Sequence, residues 1–372
     1  MIEVKQVITK KDVKEFMNFP KRLYKGNPYY VPVLDMDEKK IFRADYVYNS
    51  TCDVVFYLAY KDGVVAGRIS GIIQKAANEK WGQKRVRFTR FDSIDDQEVA
   101  NALFDTVSAW AREKGMTEIV GPLGYSDLER EGMLIEGFDQ LSTYEEQYNY
   151  EYYQKLVENY GFTKEVDWWE HKIYRPTEDM GKVERISNKM LEKYGLTYTQ
   201  PKSIKWFLKN YVDEFFEIID KTYTNIYGTV PFTQGMKDMM VSNFKLLARS
   251  KDICLILNEE KHVVGFAIMF PSIAKAANKS KGKLTLPFLL KILRLKRHAE
   301  VIDLGLIGVL PEYESKGVAS IMMSALAKFI EREKPDHLET NLILEENAHS
   351  MNQFRRFDRV LHKKRRCFIK EL

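Results

Sequence analysis

The stretch richest in usable chemistry runs over 300–330, EVIDLGLIGVLPEYESKGVASIMMSALAKFI. An apolar strand ends at Pro311, a polar loop follows at 312–316, and Gly317 opens a helix. The apolar positions Ile321, Met322, Ala325, Leu326, Phe329 and Ile330 give that helix one buried stripe. A helix N-terminus carries unpaired backbone N–H groups and about half a positive charge, which suits a phosphate or pyrophosphate. Gly317 removes the side chain that would block close approach, Ser320 offers a hydroxyl donor, and Lys316 adds a mobile cation. One glycine is a weak motif, and an ordinary strand-loop-helix connection has the same outline.

A second candidate lies at 121–153, which lacks clear periodicity and holds eight acidic residues and six tyrosines against one basic residue, Arg130. Carboxylates beside aromatic faces can hold a cationic amine, and long irregular segments in compact domains are often functional. Asp127, Glu131, Glu136 and Tyr150 are the candidate substrate residues. A solvated acidic loop that packs its tyrosines on the neighbouring domain would have the same composition.

The elements that must position these residues occur twice. Residues 54–74 read as two apolar strands around Lys61-Asp62-Gly63, and 253–273 read the same way. A strand and an amphipathic helix follow each hairpin, at 85–92 and 97–114 and again at 300–310 and 317–334. Gly115 and Pro335 stop the two helices, and further strands are expected at 117–123 and 337–344. The second copy carries an insertion around 275–298, whose KGKLTLPFLLKILRLKRH reads as a short amphipathic helix packed on its own domain, with membrane contact, a cover over a lipid acceptor or a dimer contact as the less expected readings. Two tandem α/β domains follow, each a mixed sheet covered by helices: 1–180, a linker at 181–200, and 201–372. The first copy lacks the cradle. Ser93-Ile94-Asp95-Asp96-Gln97 supplies helix caps, no glycine, and two charges that repel a pyrophosphate.

Lys and Arg number 58 against 53 Asp and Glu, a net charge of +5, too small an excess for a nucleic-acid-binding face. Cys52, Cys254 and Cys367 have no metal-ligand spacing and no even count, so no metal and a reducing, cytoplasmic setting are expected. The N-terminal MIEVKQVITKKDVKEF lacks a signal-peptide core, and no apolar run reaches the ~20 residues of a bilayer span. His362-Lys363-Lys364-Arg365-Arg366 reads as a solvated turn before a last strand at 367–369. Trp168 and Trp169 read as core or interface residues of a terminal strand.

Glu314-Ser315-Lys316-Gly317-Val318-Ala319 resembles the acyl-CoA signature of the GNAT superfamily (GCN5-related N-acetyltransferases), Gln/Arg-x-x-Gly-x-Gly/Ala after a strand ending near a proline. LETNLILEENAHSMNQFRRF resembles the family's next motif, whose helix opens on an asparagine, here Asn347. The resemblance covers 205–372, and the whole resembles bacterial tandem-GNAT proteins with a degenerate N-terminal copy. It implies an α/β fold of two tandem acyl-CoA N-acyltransferase-like domains, each a mixed, mostly antiparallel sheet flanked by helices. It also implies an acyl-CoA-dependent N-acyltransferase, with acetyl-CoA as the expected co-substrate and a small-molecule or peptide amine attacking the thioester directly. The backbone at Ile307, Gly308 and Val309 would take the pantetheine arm and the thioester carbonyl. Ser315, Lys316, Gly317, Val318, Ala319 and Ser320 would hold the pyrophosphate.

No nucleic-acid or membrane partner is expected, and a homodimer is left open. Two positions depart from the family: Glu314 replaces Gln/Arg, and Phe354 stands where a tyrosine often protonates the leaving thiolate. They keep open the alternative of a non-catalytic acyl-CoA sensor. An alkylammonium of pKa about 10 needs a base. Asp303 and Glu339 are the candidates, with solvated strand-edge carboxylates as the plainer reading of each.

Overall fold

The computed structural model describes residues 1–177 and 179–372, the backbone alone at Ala348 and His349. Seven strands come from the first half: β1 Ile2–Gln6, β2 Cys52–Lys61, β3 Val64–Gln74, β4 Arg85–Ser93, β5 Glu118–Gly121, β6 Met133–Glu136 and β7 Thr163–Pro176. Seven come from the second: β8 Thr197–Thr199, β9 Ile253–Leu257, β10 Val263–Pro271, β11 Val301–Val309, β12 His337–Glu339, β13 Ile343–Leu344 and β14 Phe357–Glu371. All join one sheet of mostly antiparallel strands, in which β4–β5 and β11–β12 pair in parallel. The β2–β3 turn puts Asp62 and Gly63 at φ of 52° and 79°, the left-handed pair that matches the twist of a two-residue hairpin. The strand expected at 337–344 divides into β12 and β13, which pair with different parts of β7.

The halves are repeats at the level of side chains too. Lys75-Ala76-Ala77-Asn78 after β3 recurs as Lys275-Ala276-Ala277-Asn278 after β10. Each run forms a short helix (Lys75–Trp81, Ala274–Ser280) followed by a glycine of positive φ, Gly82 or Gly282. The second half then inserts the helix Leu286–Arg297 before β11. The segment 181–200 is itself structured. Its helix Gly181–Lys193 packs on the helix Val318–Glu333, tied by Lys328 to Glu184 at 2.5 Å, and it ends in β8.

The order across the middle of the sheet is β4-β5-β14-β7-β12-β11. Had each half closed its own sheet, β7 would lie beside β5 and β14 beside β12. Instead the two terminal strands are exchanged: β14 fills the first half's edge at β5, and β7 fills the second half's edge at β12. The long strands β7 and β14 run antiparallel along each other between these edges. Side chains follow the exchange. Phe368 of β14 sits in the first-half core with Phe88, Leu103 and Ile119, while Ile173 of β7 sits in the second-half core with Ile302, Ile321 and Leu338. Trp168 is buried at this junction with Val120, Leu123 and Cys367.

The basic run expected to be a solvated turn is part of β14, and strand alternation turns Lys363 and Arg365 fully inward. Both meet Glu170 of β7: Lys363 Nζ lies 2.7 Å from Oε2, and Arg365 Nε donates to Oε1 at 2.6 Å. Arg365 also reaches the Gln147 carbonyl and the Ser142 hydroxyl. Breaking a buried pair by removing one partner costs about 3–5 kcal/mol because it strands the other charge. Arg365→Met should therefore lower stability by about that amount. Because each half borrows a strand from the other, urea titrations of the variant should show both halves melting in one transition at a lower midpoint. A variant that melts in two separate steps would contradict the exchange.

Candidate functional site

β11 and β12 share backbone pairing only from Val301 to Asp303. Beyond Asp303 the two strands part, and the edge of β11 that faces away from β10 is left without a strand partner. On that edge Ile307 is exposed, and the Tyr223 hydroxyl serves it both ways. It donates to the Ile307 carbonyl at 3.0 Å and accepts from the Ile307 N–H at 3.3 Å. Tyr223 caps the helix Val212–Thr222, and burial pushes its phenol up to about 12. On the side of the helix Val318–Glu333, Leu304, Gly305, Leu306 and Ile307 border an apolar groove of about 80 Å³ shared with Met322, Leu326 and Phe354. Ile307 borders this groove, and Gly308 and Val309 follow it along the stretch of β11 that has left β12.

Gly317 is the N-cap of the helix Val318–Glu333 at φ 76°, and a β-carbon there would come within 2.6 Å of Met190 Cγ. Glycine is needed here for its left-handed backbone and for the packing of the linking helix. No side chain among the described residues caps this helix. Its first internal bond is from Ser320 N–H to the Gly317 carbonyl at 3.0 Å, so the N–H groups of Val318 and Ala319 precede it at the open end. Glu314 and Ser315 are exposed, and Lys316 lies 3.9 Å from the centre of the Tyr313 ring. The first half is built the opposite way. Asp96 accepts from Glu98 N–H (3.0 Å) and Val99 N–H (3.3 Å), so the donors that could take a phosphate are already used. Asn347 is likewise engaged as a cap, accepting from Ser350 N–H at 3.0 Å.

The two candidate bases are lateral neighbours, Asp303 on β11 beside Glu339 on β12, in unlike surroundings. Burial opposes charge on Glu339, but Lys363, His337 and His362 outweigh it and hold the carboxyl far below its usual range. His362 Nε2 lies 2.8 Å and Lys363 Nζ 3.5 Å from Glu339 Oε2, and His337 Nε2 meets Oε1 at 3.2 Å. At Asp303 a Ser272 hydrogen bond and the Lys363 charge act in the same direction but are outweighed. The Asp303 Oδ1 is buried without a hydrogen-bond partner among the described residues, and burial, then the Glu339 charge, raises the pKa of this carboxyl to about 8.

The four candidate substrate residues do not form one cluster, because the segment that carries them is pinned at separate points. Glu136 is ion-paired with Lys364 at 2.8 Å on the outer face of the sheet. Tyr150 donates to the Leu23 carbonyl at 3.2 Å and packs on the first-half core. Asp127 and Glu131 are close enough for Asp127 to raise Glu131, whose carboxyl burial has already lifted well above its normal range. Glu131 Oε2 and Glu146 Oε2 are buried without hydrogen-bond partners among the described residues. Tyr223, His337, His362 and Lys363 carried no motif in the sequence. Lys363 alone could have been found, by reading its basic run with a strand period of two.

Residues 212–358 match the model of the Acetyltransferase (GNAT) family. The chain is 27% identical over 386 residues to Protein YghO of Escherichia coli (strain K12), covering 99% of this chain and 95% of that one. It is 25% identical over 297 residues to the bacterial ceramide synthase of Caulobacter vibrioides (strain NA1000 / CB15N), covering 77% and 74%. Among solved structures, it overlays a tandem GNAT protein from the clavulanic acid biosynthesis pathway with a TM-score of 0.55 at 10% identity, covering 100% of this chain and 98% of that one. The parted strands and open helix end lie within the residues that match the GNAT acetyltransferase model, and the chain as a whole shares the fold of a tandem GNAT protein.

Proposed function

We propose that the second half binds an acyl-CoA, with its pyrophosphate on 315–320 and its pantetheine arm against Ile307, Gly308 and Val309, and that an amine acceptor attacks the thioester with Asp303 as general base. The observation that carries this reading is the state of Asp303: a carboxyl whose Oδ1 is buried without a hydrogen-bond partner among the described residues, with a pKa of about 8, four residues along β11 from Ile307 on the open backbone edge. A base poised near neutrality is what an alkylammonium acceptor requires, and a cation would relieve the buried carboxyl groups of Glu131 and Glu146. An arm that pairs with Ile307 displaces the Tyr223 hydroxyl, which then lies beside the thioester. That phenol stays protonated at neutral pH and supplies the proton that Phe354 lacks. The Caulobacter relative named a ceramide synthase makes amphiphilic amines acceptors to screen beside small ones. In a non-catalytic sensor, the Tyr223 hydroxyl would close the β11 edge until CoA opens it. Acyl-CoA binding without thiol release from any amine would mark that case.

Two measurements test the site. With an amine acceptor found by thiol release, Asp303→Asn should lower kcat/KM about 100-fold or more while leaving acyl-CoA affinity unchanged. A base works unprotonated, so wild-type activity should rise with pH through about 8, and that rise should vanish in the variant. Full activity in Asp303→Asn would remove Asp303 from the mechanism. Ala319→Glu adds an anion at the open helix end, which suits the helix itself but opposes a pyrophosphate. Titration calorimetry should show at least about tenfold weaker acyl-CoA binding, with no fall in the unfolding midpoint. Unchanged affinity would place the pyrophosphate elsewhere.

A further inference from the structure

The inserted helix Leu286–Arg297 is apolar on two opposite faces. Phe288, Ile292 and Leu295 are buried against Ile273 and Ala277 of the second half and against Val31 and Leu34 of the first, so the helix packs across both halves and not on its own domain alone. At the same helical spacing on the other side, Leu286 (70%), Leu290 (58%) and Leu293 (60%) stand exposed, joined by Leu284, Leu289 and, from the helix Gln234–Leu247, Leu246. A contiguous leucine surface of this kind implies a partner. The charge around it says which. From 274 to 299 the chain carries eight Lys and Arg and no carboxylate. The ion pairs this segment makes among the described residues are those of Lys275 and Lys291 with Glu300, at 3.3 and 3.4 Å. A second copy docked face to face would set these cations against their like, whereas an anionic bilayer supplies both apolar depth and negative charge.

Three of these leucines rim a cavity of about 610 Å³. Leu246, Leu284 and Leu289 line its mouth, while Arg68, Arg90 and Glu38 form a charged floor in the first half. Glu145 also lines it, and the Glu145 charge contributes to the raised pKa of Asp303. The cavity is therefore apolar where it opens and polar where it ends, in the electrostatic reach of the candidate base.

We propose that the leucine face 284–293 is an interfacial anchor that lays the mouth of this cavity on an anionic phospholipid bilayer. The docking rests on the patch and its charge, and it stands or falls independently of acyl transfer. The test is co-sedimentation of the full chain with phosphatidylcholine vesicles with and without phosphatidylglycerol, for the wild type and for the triple variant Leu286→Asp, Leu290→Asp, Leu293→Asp. The wild type should bind the phosphatidylglycerol vesicles, less so as salt rises, and the variant should bind at least about tenfold more weakly with an unchanged thermal midpoint. The native cysteines Cys52, Cys254 and Cys367 are all buried, so Leu290→Cys can be labelled selectively with a polarity-sensitive dye, whose emission should shift blue on binding. Absence of binding to anionic vesicles would overturn the proposal, as would undiminished binding of the triple variant or binding without a blue shift. A wild-type dimer that the triple variant breaks into monomers would overturn it in favour of a second copy on this face.

Discussion

Withdrawing an ammonium and a guanidinium from water costs several kcal/mol per ion, and the interior must return it through well-placed counter-charge. Lys363 and Arg365 are both fully buried, and Glu170, equally buried, stands between them on the adjacent strand. That arrangement exists in one register of β7 against β14. A slip of one residue would turn Lys364 and Arg366 inward and take them from Glu136 and Asp167, their present partners. The exchange of terminal strands, and with it the union of two half-sheets into one, is held in place at this point.

The chemistry of the open edge depends on the same junction. Lys363 reaches past Glu170 to Glu339, and with His337 and His362 it keeps that carboxylate ionised. Its neighbour in register, Asp303, receives the burial and the like charge with too little from Lys363 to offset them, so the two carboxyl groups are driven apart in affinity for protons. One becomes a fixed charge and the other an exchangeable proton site, a division of labour set by environment rather than residue type.

What could be read from the sequence was whatever depends on neighbours along the chain. The hairpins and the helix opened by Gly317 follow from periodicity and turn residues and lie where expected, whereas the insertion expected around 275–298 starts only after Gly282, because 274–282 repeats the helix at 75–82. The run His362-Lys363-Lys364-Arg365-Arg366 misled because five basic residues suggest water. Their burial depends on Glu170, almost two hundred positions earlier, and no local pattern reports a partner that distant. The strand exchange was hidden for the same reason: a repeat predicts two equal sheets, and nothing in a repeat says whose edge each last strand will fill. Asp127, Glu131, Glu136 and Tyr150 were grouped by composition, which carries no direction. Tyr223 stayed unseen because a tyrosine after an amphipathic helix differs in nothing from its core-filling counterparts until its hydroxyl is seen on Ile307.

The exchange also has a temporal side. β14 is synthesised after every other strand described here, yet it completes the sheet of the half made first. While the ribosome is still translating the second half, β5 and β7 present unpaired edges, the kind of surface that invites aggregation and chaperone capture. Chains interrupted before residue 357 would carry an intact helix-opening glycine and the β11 edge but no Lys363 to set Glu339. Quality control is thereby written into the topology: a prematurely terminated copy can neither finish its first half nor assemble the paired carboxyl groups of its second.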